Sequence, residues 1–296
     1  MSSHLLEVNV AAWVEEARED PVVYQQRQTI EIVLNTIART IPLNTKMFLK
    51  GGLLMGLAYS SPRQTIDIDF TTILKPENDS DAKIREILDQ GLPEVAAVLG
   101  YPDLVVQIHS VKRQPPKIPT QEAQFPALKL KVTSARRKSR QEVALNRGEP
   151  SNVIIEIDIS FNEPSLQQIQ ILKLTNEHEL LAYSLVDLIA EKYRAILQQI
   201  DRNRRRSQDI YDLSRLITHE VIDADTQALI LIALKEKSRA RGIDPKQGSL
   251  DDPEIKSRCK AGWESLKLEI VEVPEFETCF ADSVDFYCNL PWENHV

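Results

Sequence analysis

Apolar positions recur at helical spacing over residues 22–40, VVYQQRQTIEIVLNTIART, where Ile30, Val33, Leu34 and Ile37 share one face. Pro42 closes that helix. Met47 to Lys50 is a short apolar run halted by Gly51-Gly52, which reads as a strand ending in a tight turn. Leu53 to Ala58 reads as a helix, broken by Tyr59-Ser60-Ser61-Pro62. From Thr65 to Thr72 the period changes to two, with Ile66, Ile68 and Phe70 on one face and Asp67 and Asp69 on the other. Further along, the pattern predicts a helix over 79–99, a strand over 105–111, a proline-marked loop at 114–119 and a strand over 128–132. The basic stretch SARRKSRQEVALNRGEP follows, and then VIIEIDISF, 153–161, alternates cleanly as a strand. Mixed strands and helices of this kind predict an α/β (α+β) fold, a mixed sheet flanked by helices.

The character changes near residue 175. Ser184 followed by Asp187 has the spacing of a capping box, and LVDLIAEKYRAILQQI then runs as an amphipathic helix. Helices are predicted again over 207–218 and 224–240. The chain therefore divides into an α/β unit with N-terminal helices, 1–175, and a helical unit, 176–296. Phe276, Phe280, Phe286, Tyr287 and Trp292 make the last thirty residues aromatic enough to pack.

Composition narrows the function classes. The 296 residues carry a formal net charge of −8, with 42% hydrophobic and 27% charged residues, as in an ordinary globular protein. No run of about 18 apolar residues can span a membrane, and the acidic N-terminus lacks the basic segment of a secretion signal; a cytoplasmic location is expected. The three cysteines and five histidines have no metal-ligand spacing. Neither a GxSxG elbow nor a GxxxxGK[ST] phosphate loop is present. The acidic balance argues against a wholly basic nucleic-acid binder. Residues 103–147, however, hold ten Lys or Arg against three acids, a net of +7. Within that region the segment from Lys129 to Arg147, with Arg136, Arg137, Lys138 and Arg140 as its named candidates, could hold an RNA backbone, against the plainer reading of a solvated loop.

The candidate chemistry is acidic. Side chains at i and i+2 of a strand face the same way, so Asp67 and Asp69 project together and repel each other unless a cation lies between them. Hard divalent cations take such oxygen ligands and fill the remaining positions with substrate phosphates. Gly51-Gly52 lets backbone N–H groups approach a phosphate with no Cβ in the way. Glu156 and Asp158 share a face of a second strand and can supply a third carboxylate.

LKGGLLMGLAYSSPRQTIDIDF resembles the "KGG…L…R-x-S-x-D-I-D" signature of the AbiEii/AbiGii nucleotidyltransferase toxins, within the polymerase-β-like nucleotidyltransferases. The match is carried by Lys50, Gly51, Gly52, Leu57, Arg63, Asp67, Ile68 and Asp69. Thr65 replaces the usual Ser, and Leu53 stands where a hydroxyl residue commonly follows the glycines. Downstream, KYRAILQQ is similar to the family's second motif through Lys192 and Ala195, with Gln199 in place of an arginine. RSQDIYDL is similar to the third through Arg206, Asp209, Asp212 and Leu213, with Gln208 in place of a lysine. IDISFNEP resembles the strand bearing the third carboxylate, which favours Asp158 over Glu156.

The resemblance implies a nucleotidyltransferase-like sheet with a C-terminal helical domain. It implies a Mg²⁺- or Mn²⁺-dependent enzyme that moves a nucleoside monophosphate from an NTP to an acceptor, RNA such as tRNA among the possibilities, with a protein antitoxin as partner. Asp67, Asp69 and Asp158 would hold the metal, Gly51, Gly52, Lys192 and Arg206 the nucleotide, and Asp209 would pair with Lys192. Asp212 reads as structural, bonded to Arg215 or Arg206. Two alternatives stay open at this point: transfer to a small-molecule hydroxyl, and a catalytically inactive nucleotide-binding protein, the latter suggested by Leu53, Gln199 and Gln208.

Overall fold

The computed structural model describes residues 3–175 and 177–292. The chain opens with β1 (Ser3–Val8), α1 (Val10–Glu15), α2 (Pro21–Arg39) and the single turn α3 (Leu43–Lys46). Next come β2 (Met47–Lys50), α4 (Gly51–Ala58), β3 (Ile68–Thr72), α5 (Ser80–Val98), β4 (Leu104–Gln114) and β5 (Ala127–Arg136). The α/β part continues through α6 (Arg140–Asn146), β6 (Val153–Ser160), β7 (Ile169–Leu174) and β8 (Glu179–Tyr183). Helices complete the fold: α7 (Leu185–Leu197), α8 (Ser207–His219), α9 (Ala224–Arg239), α10 (Pro253–Lys260) and α11 (Phe276–Cys288), with short 3₁₀ turns at Ser249–Asp251 and Trp263–Leu268.

The eight strands form one mixed sheet in the order β1-β7-β8-β2-β3-β6-β5-β4. β3 lies parallel to β6 and β2 parallel to β8, while β2–β3, β5–β6 and β4–β5 are antiparallel. The period-two pattern sets the inner face: Val153, Ile155, Ile157 and Ile159 of β6 and Leu128, Leu130 and Val132 of β5 are at most 1% exposed. Helices α2 and α5 cover that face, α2 against β6 and β8 and α5 against β4. α2 starts where the Asp20 carboxylate accepts from the N–H groups of Val22 and Val23 and Pro21 occupies the first turn. The Ser184–Asp187 cap forms as the spacing predicts, with Ser184 Oγ accepting from the Asp187 N–H.

Four local expectations change. Gly51-Gly52 is not a separate turn: both residues belong to α4, which begins directly after Lys50. Strand β3 starts at Ile68, so Asp67 stands just ahead of it instead of within it. β5 runs on to Arg136, because antiparallel pairing with β4 reaches that residue, and the rest of the basic stretch turns into α6. β8 lies beyond position 175, where helix was expected; its pairing with β7 and β2 keeps those residues in the sheet. Among the described residues, no helix is long and apolar enough to cross a membrane.

Candidate active site

Because odd-numbered residues of β6 fill the core, Glu156 and Asp158 must face the other side of the sheet. The register then sets their neighbours. Asp69 of β3 lies directly beside Asp158 in parallel pairing. Lys50 of β2 is opposite Asp69, and Lys129 of β5 is opposite Asp158. Four strands thus carry one row, Lys50–Asp69–Asp158–Lys129, with adjacent strands about 4.8 Å apart. Two carboxylates stand side by side, flanked on each side by a lysine. Lys129 Nζ bonds Asp158 Oδ2 at 2.8 Å, while Asp158 Oδ1 is shielded from solvent with no hydrogen-bond partner. A shielded carboxylate oxygen without a partner is costly unless something binds it.

The Asp69 carboxyl is pushed up from its ordinary range, mainly by burial; Lys50 opposes the shift, and the neighbouring charges of Asp158 and Asp67 add to it. Asp67, one residue outside the strand, is also raised, first by desolvation of its carboxyl and then by repulsion from Glu156 and Asp158. An aspartate pair in this condition favours a cation.

The two glycines are required by close approach. Gly51 has φ +74°, and a Cβ there would fall 2.2 Å from Asp69 Oδ2. A Cβ on Gly52 would fall 2.4 Å from a guanidinium nitrogen of Arg63. The amino end of α4 therefore lies bare against the acidic row, and Lys50 at its N-cap position makes no side-chain cap. Uncapped N–H groups at a helix start, with the helix dipole behind them, are suited to an anion.

Lys50, the first residues of α4, the loop after α4 and Asp69 line a cleft of ≈ 540 Å³, walled on the far side by α7 and α8. Lys192 of α7 is buried and bonds Asp212 Oδ2 at 2.6 Å and Asp209 Oδ1 at 3.3 Å. Burial works against its charge, but Asp212 and Asp209 outweigh it and the ammonium is held above its ordinary pKa. Arg206 reaches Asp209 at 3.4 Å. Arg63, on the loop between α4 and β3, bonds Asp212 at 3.3 Å and Glu269 at 2.9 Å. The loop is thereby tied to α8 and to the 3₁₀ turn near the C-terminus. Glu191, also in the cleft, is lowered to about 2: burial alone would raise it, but Arg194, Lys50 and Lys237 reverse the shift.

The fold thus brings Gly51, Gly52, Asp67, Asp69, Lys192, Arg206 and Asp209 to one cleft, with Asp158 beside Asp69 in the adjoining row. The Lys192–Asp209 contact forms as anticipated. Asp212 differs from expectation: its partners are Lys192 and Arg63, because α8 turns it inward toward α7 and the loop instead of along its own surface. Arg136, Arg137, Lys138 and Arg140 do not line the cleft. Arg136 bonds Asp103 and Gln28, and Arg137 bonds the Pro102 carbonyl. Along β5, Arg136 is seven residues from Lys129, roughly 24 Å. Leu53 is buried on another side of α4, and Gln199 points away toward Ile255 and Cys259. Gln208 does border the cleft and bonds Glu269. Sequence reasoning assigned no role to Glu191 or Arg194, and took Lys129 only as the first residue of a basic segment able to hold an RNA backbone, not as a partner of Asp158. Lys50 and Arg63 lay within the matched signature without a role of their own.

Among the described residues, no group of three His, Cys, Asp or Glu side chains forms a ready metal cluster. The donor set nevertheless fits a small hard cation, which commonly takes one or two carboxylates and completes its shell with water and substrate phosphate. The unpartnered Asp158 Oδ1 beside Asp69 is the observation that supports the fit.

The chain belongs to the AbiEii family of nucleotidyltransferase toxins: the family model described as "Nucleotidyl transferase AbiEii toxin, Type IV TA system" matches residues 33–282, a span that contains every cleft residue named above. No curated protein matches the chain. Among solved structures, the nucleotidyltransferase toxin MenT4 from Mycobacterium tuberculosis H37Rv is similar with a TM-score of 0.57 at 13% identity, over 95% of this chain and 90% of that one. JHP933 from Helicobacter pylori is similar with a TM-score of 0.50 at 13% identity, over 88% of each chain. At such identities the likeness is one of fold.

Proposed function

We propose that this nucleotidyltransferase uses a divalent cation, Mg²⁺ or Mn²⁺, to transfer a nucleoside monophosphate from an NTP to an RNA hydroxyl, as the toxin of a pair whose antitoxin is a protein. The observation that carries the reading is the Asp69–Asp158 pair, set beside the bare amino end of α4 at Gly51-Gly52. In the reaction, a bond forms between the acceptor oxygen and the α-phosphorus, and the α–β anhydride bond breaks. Pyrophosphate leaves, and the hydroxyl proton passes to a carboxylate of the row and on to solvent. Asp69 and Asp158, with Asp67 at the cleft mouth, are the residues to hold the cation, which when bound neutralises charge developing on the phosphoryl oxygens.

The chain's own groups divide the remaining work. Backbone N–H groups at Gly51-Gly52 receive the β- and γ-phosphates. Lys192 and Arg206 supply positive charge from the opposite wall, and Asp209 and Asp212 hold Lys192 in place and charged. Arg63 keeps the loop preceding Asp67 fastened to α8.

The test is incubation with each labelled NTP, the cation and total RNA, for wild type and for Asp69→Asn and Asp158→Asn. Label should enter RNA with wild type only. Label in a nucleotide-sized product without RNA, or equal labelling by Asp69→Asn, would overturn the reading.

A further inference from the structure

The acidic row does not end at Lys129. Lys112 of β4 is directly opposite Lys129, and Lys131 lies two residues on along the same face, opposite Glu156 and Ser110. The helices that cover the sheet here, α2 and α5, pack on the other face. Accordingly these side chains are open to solvent: Lys129 and Lys131 are 43% and 40% exposed, and Lys112 is exposed with no ion-pair partner among the described residues. Lys112 and Lys129 share one rung and Lys131 stands on the next rung of the same face; Lys129 pairs with Asp158 at 2.8 Å and Lys131 with Glu156 at 3.0 Å, solvent-exposed pairs that add little stability. Lys112 and Lys129 are like charges directly opposite each other, an arrangement that destabilises an antiparallel pair. A polyanion laid across them removes that repulsion.

The direction of the chemistry points to the same place. In phosphoryl displacement the attacking and leaving oxygens lie roughly in line, on opposite sides of the phosphorus. With the triphosphate on the β2 side, at Gly51-Gly52, the acceptor must approach Asp69 and Asp158 from the β6 and β5 side. Beyond Asp158 on that side lie Lys129, then Lys112, with Lys131 adjoining.

We propose that Lys112, Lys129 and Lys131 form a track that reads the phosphates of a single-stranded RNA acceptor and delivers its terminal hydroxyl to the Asp158 side of the cleft. This inference rests on the transferase reading above for the direction of approach. The basic cluster at Arg136 and Arg137 is less suited to the task, since Arg136 lies seven residues along β5 from Lys129, roughly 24 Å from the carboxylates.

The test is direct binding of a short fluorescent single-stranded RNA to the full chain, followed by anisotropy across a salt series. Wild type is compared with Lys112→Gln/Lys131→Gln, which spares Lys129 beside Asp158, and with Lys256→Gln/Lys260→Gln on α10 as a control. Far-ultraviolet circular dichroism verifies folding, and the single variant Lys112→Gln, at an exposed and unpaired side chain, serves if the double variant does not fold. The double variant should bind at least about tenfold more weakly, with a salt slope shallower by about 1.4, from roughly 0.7 per phosphate contact on a single strand. The control should bind as wild type does. Unchanged binding by the double variant, equal weakening of the control, or no binding by wild type would each overturn the track. Pyrophosphate release is scored in parallel. If it persists while RNA binding ignores Lys112 and Lys131, only the track fails; its absence in wild type counts against the transferase reading instead.

Discussion

Replacing Gly51 by alanine isolates the part of the site that depends on one missing methyl group. Two costs arise, and the structure separates them. The first is conformational: Gly51 has φ +74°, where a residue with a Cβ loses about 1–2 kcal/mol. The second is steric. The new Cβ would lie 2.2 Å from Asp69 Oδ2, where real contacts essentially never fall under 3.0 Å, so the carboxylate must withdraw by roughly 0.8 Å. A displacement near 1 Å at a reacting centre costs on the order of 10²-fold in rate. Gly100 is the matched control, with φ +84° and nothing within 4 Å of its would-be Cβ. Urea unfolding should therefore show Gly100→Ala losing about 1–2 kcal/mol and Gly51→Ala losing at least as much. Nucleotidyl transfer, measured at saturating NTP, should be unchanged in Gly100→Ala and fall about 10²-fold in Gly51→Ala. If Gly51→Ala transfers within twofold of wild type while its stability falls as that of Gly100→Ala does, the contact with Asp69 has no bearing on catalysis and the reasoning fails.

Asp212 is fully buried between Lys192 and Arg63, so Asp212→Ala should cost about 3–5 kcal/mol in chemical denaturation by leaving two cations short of a partner; a loss below about 1 kcal/mol would show that Asp209 and Glu269 suffice. Glu31 is buried beneath Tyr101, and burial raises its pKa against the opposing hydrogen bond from the phenol. A folded pKa above the unfolded value means that its favourable contribution is complete below the unfolded pKa and is lost as pH rises through the folded one. Glu31→Gln keeps an acceptor for Tyr101 and should flatten the fall in stability that sets in as pH rises above the ordinary carboxylate range. An unchanged profile from pH-dependent thermal melts would refute that.

The likeness between sequence and structure is uneven for physical reasons. Helices α2, α5, α7, α8 and α9 were legible because amphipathic period and capping are local: Asp20 before Pro21 and Ser184 before Asp187 act within one turn. Strand β6 was legible from its alternation alone. The end of β5 was not, since its last residues are held by pairing with β4 and carry no local signal of their own. β8 was missed for the same reason, being defined by its partners β7 and β2.

What the sequence determined by itself was chemistry in order along the chain: two glycines, the Asp67–Asp69 pair, Asp158, then Lys192 and Asp209. These types are informative wherever they stand, because glycine is chosen for close approach and repeated aspartates on apolar strands need a cation. Only the tertiary structure decided who meets whom. The parallel register of β3 and β6 puts Asp69 beside Asp158, and the antiparallel register of β5 gives Asp158 the Lys129 ammonium. Arg63 reaches Asp212 across 149 residues of sequence. A one-residue slip in any of these strands would turn the site's side chains into the core. The alignment of Ile155, Ile157 and Ile159 with their buried neighbours prevents that slip, so the packing of the apolar face is what assembles the polar one.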